Sequence, residues 1–231
     1  MELLAVRHGQ ASFGQANYDL LSPLGHRQAR LLGEWLVARS DLAFDVVATG
    51  TMVRHRETLD GIRSARLGLP EAVELPELDE FDHHAMLAAF RALAPDDPVV
   101  AAIGEGRTPD LVAIFRFLQG GLRAWVDGDL DARVPESFAA FRARVRRGIE
   151  ALRDANPGAR RVLVVSSGGV MSQLAQWALS VPDSHAIDLN LSIRNSALAE
   201  FRHAEGRWRF GSWNALPHLA APEHRELHTY Y

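Results

Sequence analysis

The chain predicts an α/β fold with a mostly parallel sheet, and three observations carry that reading. Short apolar runs at residues 2–6, 44–48 and 161–165 have the length and the Val and Leu content of strands buried in a sheet. Each run ends on polar or small residues and leads toward a helical pattern. Strand and helix therefore alternate, as expected for a parallel sheet covered by helices. At 231 residues and 47% hydrophobic, the chain can bury a sizeable core, and one α/β domain with an insertion is the expected organisation.

The first strand delivers Arg7-His8-Gly9 to its carboxyl end, where open α/β sheets bind ligands. Ser22-Pro23 starts a helix whose apolar stripe, Leu24, Leu31, Leu32, Trp35 and Leu36, runs to about residue 39. The second strand leads into a helix over 52–66. From about 82 to 135 the rhythm changes. Pro95-Asp96-Asp97-Pro98 makes a break, and a helical segment follows over 110–126 with Phe115, Phe117, Leu118, Leu122 and Trp125. This stretch reads as an inserted helical cap, joined to the core by Asp127-Gly128-Asp129. A long helix over 136–154, the strand at 161–165 and a helix holding Met171, Leu174 and Trp177 come next. Late strands at 197–201 and 208–213 turn at Glu205-Gly206. The sequence has no internal repeat.

The formal net charge is −4 with no basic block, so no nucleic-acid or anionic-membrane footprint is expected. All 25 basic residues are arginine, which excludes Schiff-base and P-loop lysine chemistry. Without cysteine there are no disulfides, no thiolate catalysis and no Cys-based metal sites. The sequence begins directly on the first strand, with no basic leader or long apolar stretch, so a cytoplasmic location is expected.

An imidazole beside a guanidinium suits phosphoryl transfer: neutral His is a nucleophile, and Arg offers planar, bidentate charge to phosphate oxygens. Three further stretches agree with that chemistry. They are the segment Leu21-Ser22-Pro23-Leu24-Gly25-His26-Arg27-Gln28-Ala29, the turn and helix start Thr49-Gly50-Thr51-Met52-Val53-Arg54-His55-Arg56-Glu57-Thr58, and the strand end Val165-Ser166-Ser167-Gly168-Gly169. With Leu78-Asp79-Glu80 between them, they resemble, in order and over most of the chain, the histidine phosphatase superfamily of phosphoglycerate-mutase-like proteins.

The resemblance implies a three-layer α/β/α sandwich and a metal-free, cofactor-free phosphomonoesterase. His8 would be the nucleophile, with Arg7 and Arg54 on the phosphate and Glu80 as general acid. Gly9, Gln10, Ser167 and Gly168 would complete the substrate site. Asp82 is the alternative acid. The implied partner is a small phosphorylated substrate or phosphate; a homodimer is compatible with the sequence. One position departs from the family: Ser167 stands where a second histidine is usual. A hydroxyl donates one hydrogen bond but carries no charge, so reduced activity is expected, and replacing Ser167 by His is expected to raise the rate. A catalytically weakened phosphate-binding relative and a mutase-type phosphotransferase are the alternatives. His83, His84 or Arg56 could supply the missing charge; the other reading makes the His pair exposed loop residues and turns Arg56 away from Arg54.

His224 and His228 are spaced i, i+4, which can bind metal on a helix, but a solvated tail fits them better. Ser167 as a serine-hydrolase nucleophile would want glycine two residues earlier, where Val165 stands. Asn214 and His218 read as structural. The aromatic residues of the cap, with Asp127, Asp129 and Asp131, suggest a site favouring an apolar leaving group over a polyphosphate.

Overall fold

The computed structural model describes residues 1–12, 19–39, 42–65 and 68–230. Strands β1 (Glu2–Arg7), β2 (Val46–Thr49), β3 (Ala72–Glu74), β4 (Arg161–Ser166), β5 (Leu198–Ala204) and β6 (Arg207–Ala215) form one mixed sheet in the order β3-β2-β4-β1-β5-β6. The first four strands in that order run parallel, and β5 and β6 complete the far edge antiparallel.

Both faces of the sheet are covered, as the unbroken apolar strands require. On β1 and β4, Leu4, Val6, Leu163 and Val165 pack with Leu32 and Leu36 of α1 (Pro23–Ala38) and Leu59 and Ile62 of α2 (Val53–Ser64). Their alternate neighbours, Leu3, Ala5, Val162 and Val164, face Phe141, Val145 and Ile149 of α6 (Phe138–Ala155) and Met171 and Leu174 of α7 (Gly168–Leu179). The chain is therefore a three-layer α/β/α sandwich.

The segment read as a cap holds α3 (His83–Leu93), α4 (Pro98–Gly104) and α5 (Leu111–Val126). Met86, Leu122 and Trp125 belong to the same core as the sheet, and Trp125 stacks on Phe81 at 4.4 Å. Within the cap, Phe117 lies 5.0 Å from Phe90 while Phe115 is exposed, and none of these rings lines the site described below. A last helix, α8 (Ser184–Ser192), precedes β5.

Several boundaries differ from the sequence reading. The late strands are longer than expected, extending to Ala204 and Ala215. His83 and His84 open α3 instead of lying in a loop. Residue 66, the expected end of α2, is outside the described residues. The segment around His224 is a 3-10 turn, Pro222–Leu227, not a solvated tail: Leu227 is 2% exposed, and Gln28 of α1 donates to its carbonyl at 2.7 Å. Among the described residues no helix is long and apolar enough to cross a membrane, and no group of His, Cys, Asp and Glu could hold a metal ion.

Candidate active site

Sheet order brings the site together. Because β1 and β4 are adjacent with Arg7 opposite Ser166, His8 and Ser167 emerge side by side at the carboxyl ends. On the other side of β4, Thr49 of β2 pairs with Val165, so the turn into α2 lies against the same place. Arg7, His8, Arg54 and Glu80 all line one cavity of about 120 Å³. His83, Phe81, Leu118 and Leu122, Asn190 and Leu191, and Tyr230 complete its wall.

His8 is 5% exposed, and its Nδ1 lies 2.7 Å from the Gly9 carbonyl oxygen. A carbonyl only accepts, so Nδ1 carries the hydrogen and Nε2 keeps its lone pair. Burial, reinforced by the charges of Arg54 and Arg7, holds the ring's pKa well below the usual histidine value, so the imidazole is neutral at neutral pH.

Both guanidiniums are fixed by acceptors. Arg7 donates to the Ile193 carbonyl just past α8. Arg54, 3% exposed, donates to Asp19 Oδ1 at 2.8 Å, while Asp19 Oδ2 accepts the Val53 N–H at 2.8 Å. Asp19 thereby caps α2, whose own N-cap residue, Met52, makes no side-chain cap. Gly9 donates its N–H to Thr58 Oγ1 at 3.0 Å, which ties the His8 loop to α2.

Glu80 sits on a turn anchored from several sides. Arg144 grips Glu136 at 2.8 Å and donates to the carbonyls of Pro76, Glu77 and Asp79 at 3.1, 3.0 and 2.9 Å. Ser166 Oγ donates to the Leu78 carbonyl at 2.6 Å. The Glu80 carboxyl accepts the Gly169 N–H at 2.9 Å. One N–H of the first turn of α7 is therefore taken by the protein's own carboxyl. Gly169 is what allows this approach, since a Cβ there would stand 2.0 Å from Glu80 Oε1. Burial pushes the Glu80 pKa above the usual carboxylate value, opposed by the Gly169 N–H, Arg54 and Arg7.

The remaining candidates separate. Gln10 is turned toward α1, where Ser22 Oγ donates to its side-chain oxygen at 2.8 Å. A Cβ on Gly168 would press on Asn190 Oδ1 at 2.8 Å and lie 3.6 Å from Arg7 Nε, so this glycine lets α8 and Arg7 close on the site. Asp82 caps α3, accepting the Ala85 N–H at 2.9 Å, and does not line the cavity. Arg56 pairs with Glu74 at 2.7 and 2.6 Å on the exposed surface, away from the cavity. His83 does reach the cavity, but burial first, then His84 and Arg54, lowers its pKa to about 4, so it brings no charge at neutral pH. Asn214 accepts the Arg194 N–H at 2.9 Å and His218 meets Ser196 Oγ at 2.9 Å, and neither lines the cavity.

Sequence reasoning passed over His55. It is 0% exposed, its ring lies 5.8 Å from that of His8, and its Nε2 is 2.6 Å from Ser167 Oγ. The available signal was periodicity: His55, Thr58, Leu59 and Ile62 form the buried stripe of α2 at i, i+3, i+4 and i+7.

A three-layer α/β protein with paired His and Arg side chains at the carboxyl ends of its central strands is the class this fold and site define. The sequence model of the histidine phosphatase superfamily (branch 1) matches residues 3–96 and 115–216, and the chain belongs to that superfamily. The unmatched stretch between covers α4 and the start of α5. Solved structures with the same fold include phosphatases and a mutase. The alpha-ribazole phosphatase of Shigella flexneri is 23% identical with a TM-score of 0.62, over 94% of this chain and 97% of that one. A mycobacterial glucosyl-3-phosphoglycerate phosphatase is 23% identical with a TM-score of 0.63, over 93% and 98%. The phosphoglycerate mutase of Bacillus anthracis is 17% identical with a TM-score of 0.65, over 94% of each chain. No curated protein matches the sequence.

Proposed function

We propose that this protein is a phosphomonoesterase working through a phosphohistidine on His8. The observation that carries the reading is the His8 tautomer: with Nδ1–H committed to the Gly9 carbonyl, the neutral Nε2 lone pair is left for attack in a cavity that also holds Arg7, Arg54 and Glu80. In the first step Nε2 forms a bond to phosphorus as the ester P–O bond breaks, and Glu80 gives its proton to the departing oxygen. Arg7 and Arg54 neutralise the phosphoryl oxygens. In the second step the Glu80 carboxylate takes a proton from water, whose oxygen bonds to phosphorus as the P–Nε2 bond breaks. Phosphate is released with His8 neutral and Glu80 protonated again. No step calls for a metal or cofactor. The leucines and Tyr230 around the cavity favour an apolar leaving group.

The test is turnover of an aryl phosphate by purified protein without added metal, with rapid acid-free quench to trap the acid-labile phosphoryl group. His8→Ala is expected to lower kcat by about a thousandfold or more and to leave no trapped phosphohistidine. Full turnover in His8→Ala would remove the reading.

A further inference from the structure

Behind His8 stands a second imidazole for which the two steps above have no use. His55 is wholly enclosed, and its Nδ1 has no hydrogen-bond partner. Its Nδ1 faces Asp79 Oδ1 at 3.8 Å, an electrostatic contact too long for a hydrogen bond. Asp79 is itself fixed by Thr51, whose N–H and hydroxyl each approach its carboxylate at 2.5 Å. A lone pair on Nδ1 would face that negative oxygen, so the ring's hydrogen belongs on Nδ1. Nε2 then accepts the Ser167 hydroxyl at 2.6 Å. Ser167 begins α7 yet makes no side-chain cap, because its hydroxyl is spent on His55.

The surroundings are shaped for this ring. A Cβ on Gly50 would lie 2.3 Å from His55 Nδ1 and 2.6 Å from Asp79 Oδ1. Gly50 does not have a positive φ, so space for the imidazole, and not backbone conformation, is what the glycine provides. The Asp79, His55 and Ser167 series resembles the order of a serine-hydrolase triad. However, Ser167 is 0% exposed and neither it nor His55 lines the cavity, so Ser167 is no nucleophile toward substrate.

We infer that His55 is a positioning residue for the reaction at His8, an imidazole from α2 that occupies the space left by the short side chain at 167 and acts on the site through Ser167 and against the His8 ring. This rests on the phosphohistidine reading. It also reverses the expectation from sequence for Ser167→His. A histidine at 167 would have to extend past the Oγ position, into space held by an imidazole 2.6 Å away, so the added ring would collide with His55 instead of restoring a donor.

The experiment is a paired exchange, with kcat and KM measured on an aryl phosphate and thermal melting followed for every variant. His55→Ala is expected to lower kcat about a hundredfold with KM changed by less than about threefold, the size of loss that misplacing a reacting group by about 1 Å can bring. Ser167→His alone is expected to lower kcat at least about tenfold, and His55→Ala combined with Ser167→His to recover to within about tenfold of the parent. Because His55→Ala leaves a cavity, His55→Gln serves as the second variant: its amide can still accept the Ser167 hydroxyl but has no ring beside His8, and its kcat is expected to fall at least about tenfold. A fall in kcat for His55→Gln with KM and melting temperature close to the parent's is a result that a merely structural role for His55 would not give. Parental kcat in His55→Gln, a rate increase in Ser167→His with His55 in place, or a double variant no faster than His55→Ala would overturn the inference. His8→Ala run alongside separates the cases: if it is inactive while the His55 variants are fully active, only the role of His55 fails, and if it is active the reaction itself fails.

Discussion

The proposed reaction requires a protonated Glu80 and a neutral His8 at the same pH, and their ordinary pKa values run the wrong way for that. An unperturbed carboxyl loses its proton before an unperturbed imidazole does. Burial moves both toward overlap, raising Glu80 and lowering His8. Protonation of His8 should therefore set the acid limb of kcat/KM, well below the usual histidine range. Ionisation of Glu80 should set the alkaline limb, above the usual carboxylate range. Glu80→Gln keeps an acceptor for the Gly169 N–H but has no proton to give. Its kcat should fall about a hundredfold to ten-thousandfold on alkyl phosphates, less on p-nitrophenyl phosphate, whose leaving group needs little help. The alkaline limb should disappear from its pH profile. An unchanged limb in Glu80→Gln would assign the acid to another group.

Among the elements, α7 gives the cleanest separation of stability from activity. Gly169→Ala replaces a helix glycine by the best helix former, a change favourable by up to about 1 kcal/mol on propensity alone. The new Cβ would meet Glu80 Oε1 at 2.0 Å and Phe81 Cδ1 at 3.0 Å, and the carboxyl is the part free to move. A melting temperature close to the parent's with kcat lowered about tenfold or more is the expected pair of results; a parental kcat would mean that Glu80 needs no such seat. The same elements show what could be read from sequence. That His8 and Arg54 would come together was legible because each lies at a strand end or helix start whose signal is local, whereas Ser167, expected in the substrate site, is buried and does not line the cavity. The three-residue β3, Ala72-Val73-Glu74 at the sheet edge, is too short to give a periodicity to read. His55 was missed for a different reason. Its partner Ser167 is 112 positions away, and only the pairing of Thr49 with Val165 in the folded sheet brings them together. Of the cap aromatics read as possible substrate contacts, Trp125 is core, Phe117 packs on Phe90 and Phe115 is exposed, and none of the three lines the cavity.

For the whole molecule, the buried imidazoles set a direction for stability against pH. Burial lowers the pKa of His8 and His55 well below the ordinary value, and that of His218 to about 3, where His224 and His228 add their charges. Between pH 6.5 and those lowered values the unfolded chain takes protons that the native state refuses. Stability contributed by each ring is therefore present above pH 6.5 and lost as pH falls toward the folded-state pKa. One fully buried ring corresponds to at most about 1.4 kcal/mol per pH unit, or about 2 kcal/mol between pH 6.5 and 5. Among the carboxylates, the surface acids Asp45, Glu74 and Asp154 are shifted down, away from that window, whereas Glu80, shifted up by burial, binds its proton more readily in the native state and offsets part of the fall. Urea unfolding at pH 7 and pH 5 should show a marked fall in midpoint at the lower pH. His218→Gln, which retains a partner for Ser196 and cannot titrate, should lower stability at pH 7 through imperfect packing but narrow the gap between the two pH values by up to about 2 kcal/mol. An equal gap in the parent and in His218→Gln would show that this ring takes up its proton as readily in the native chain as in the unfolded one.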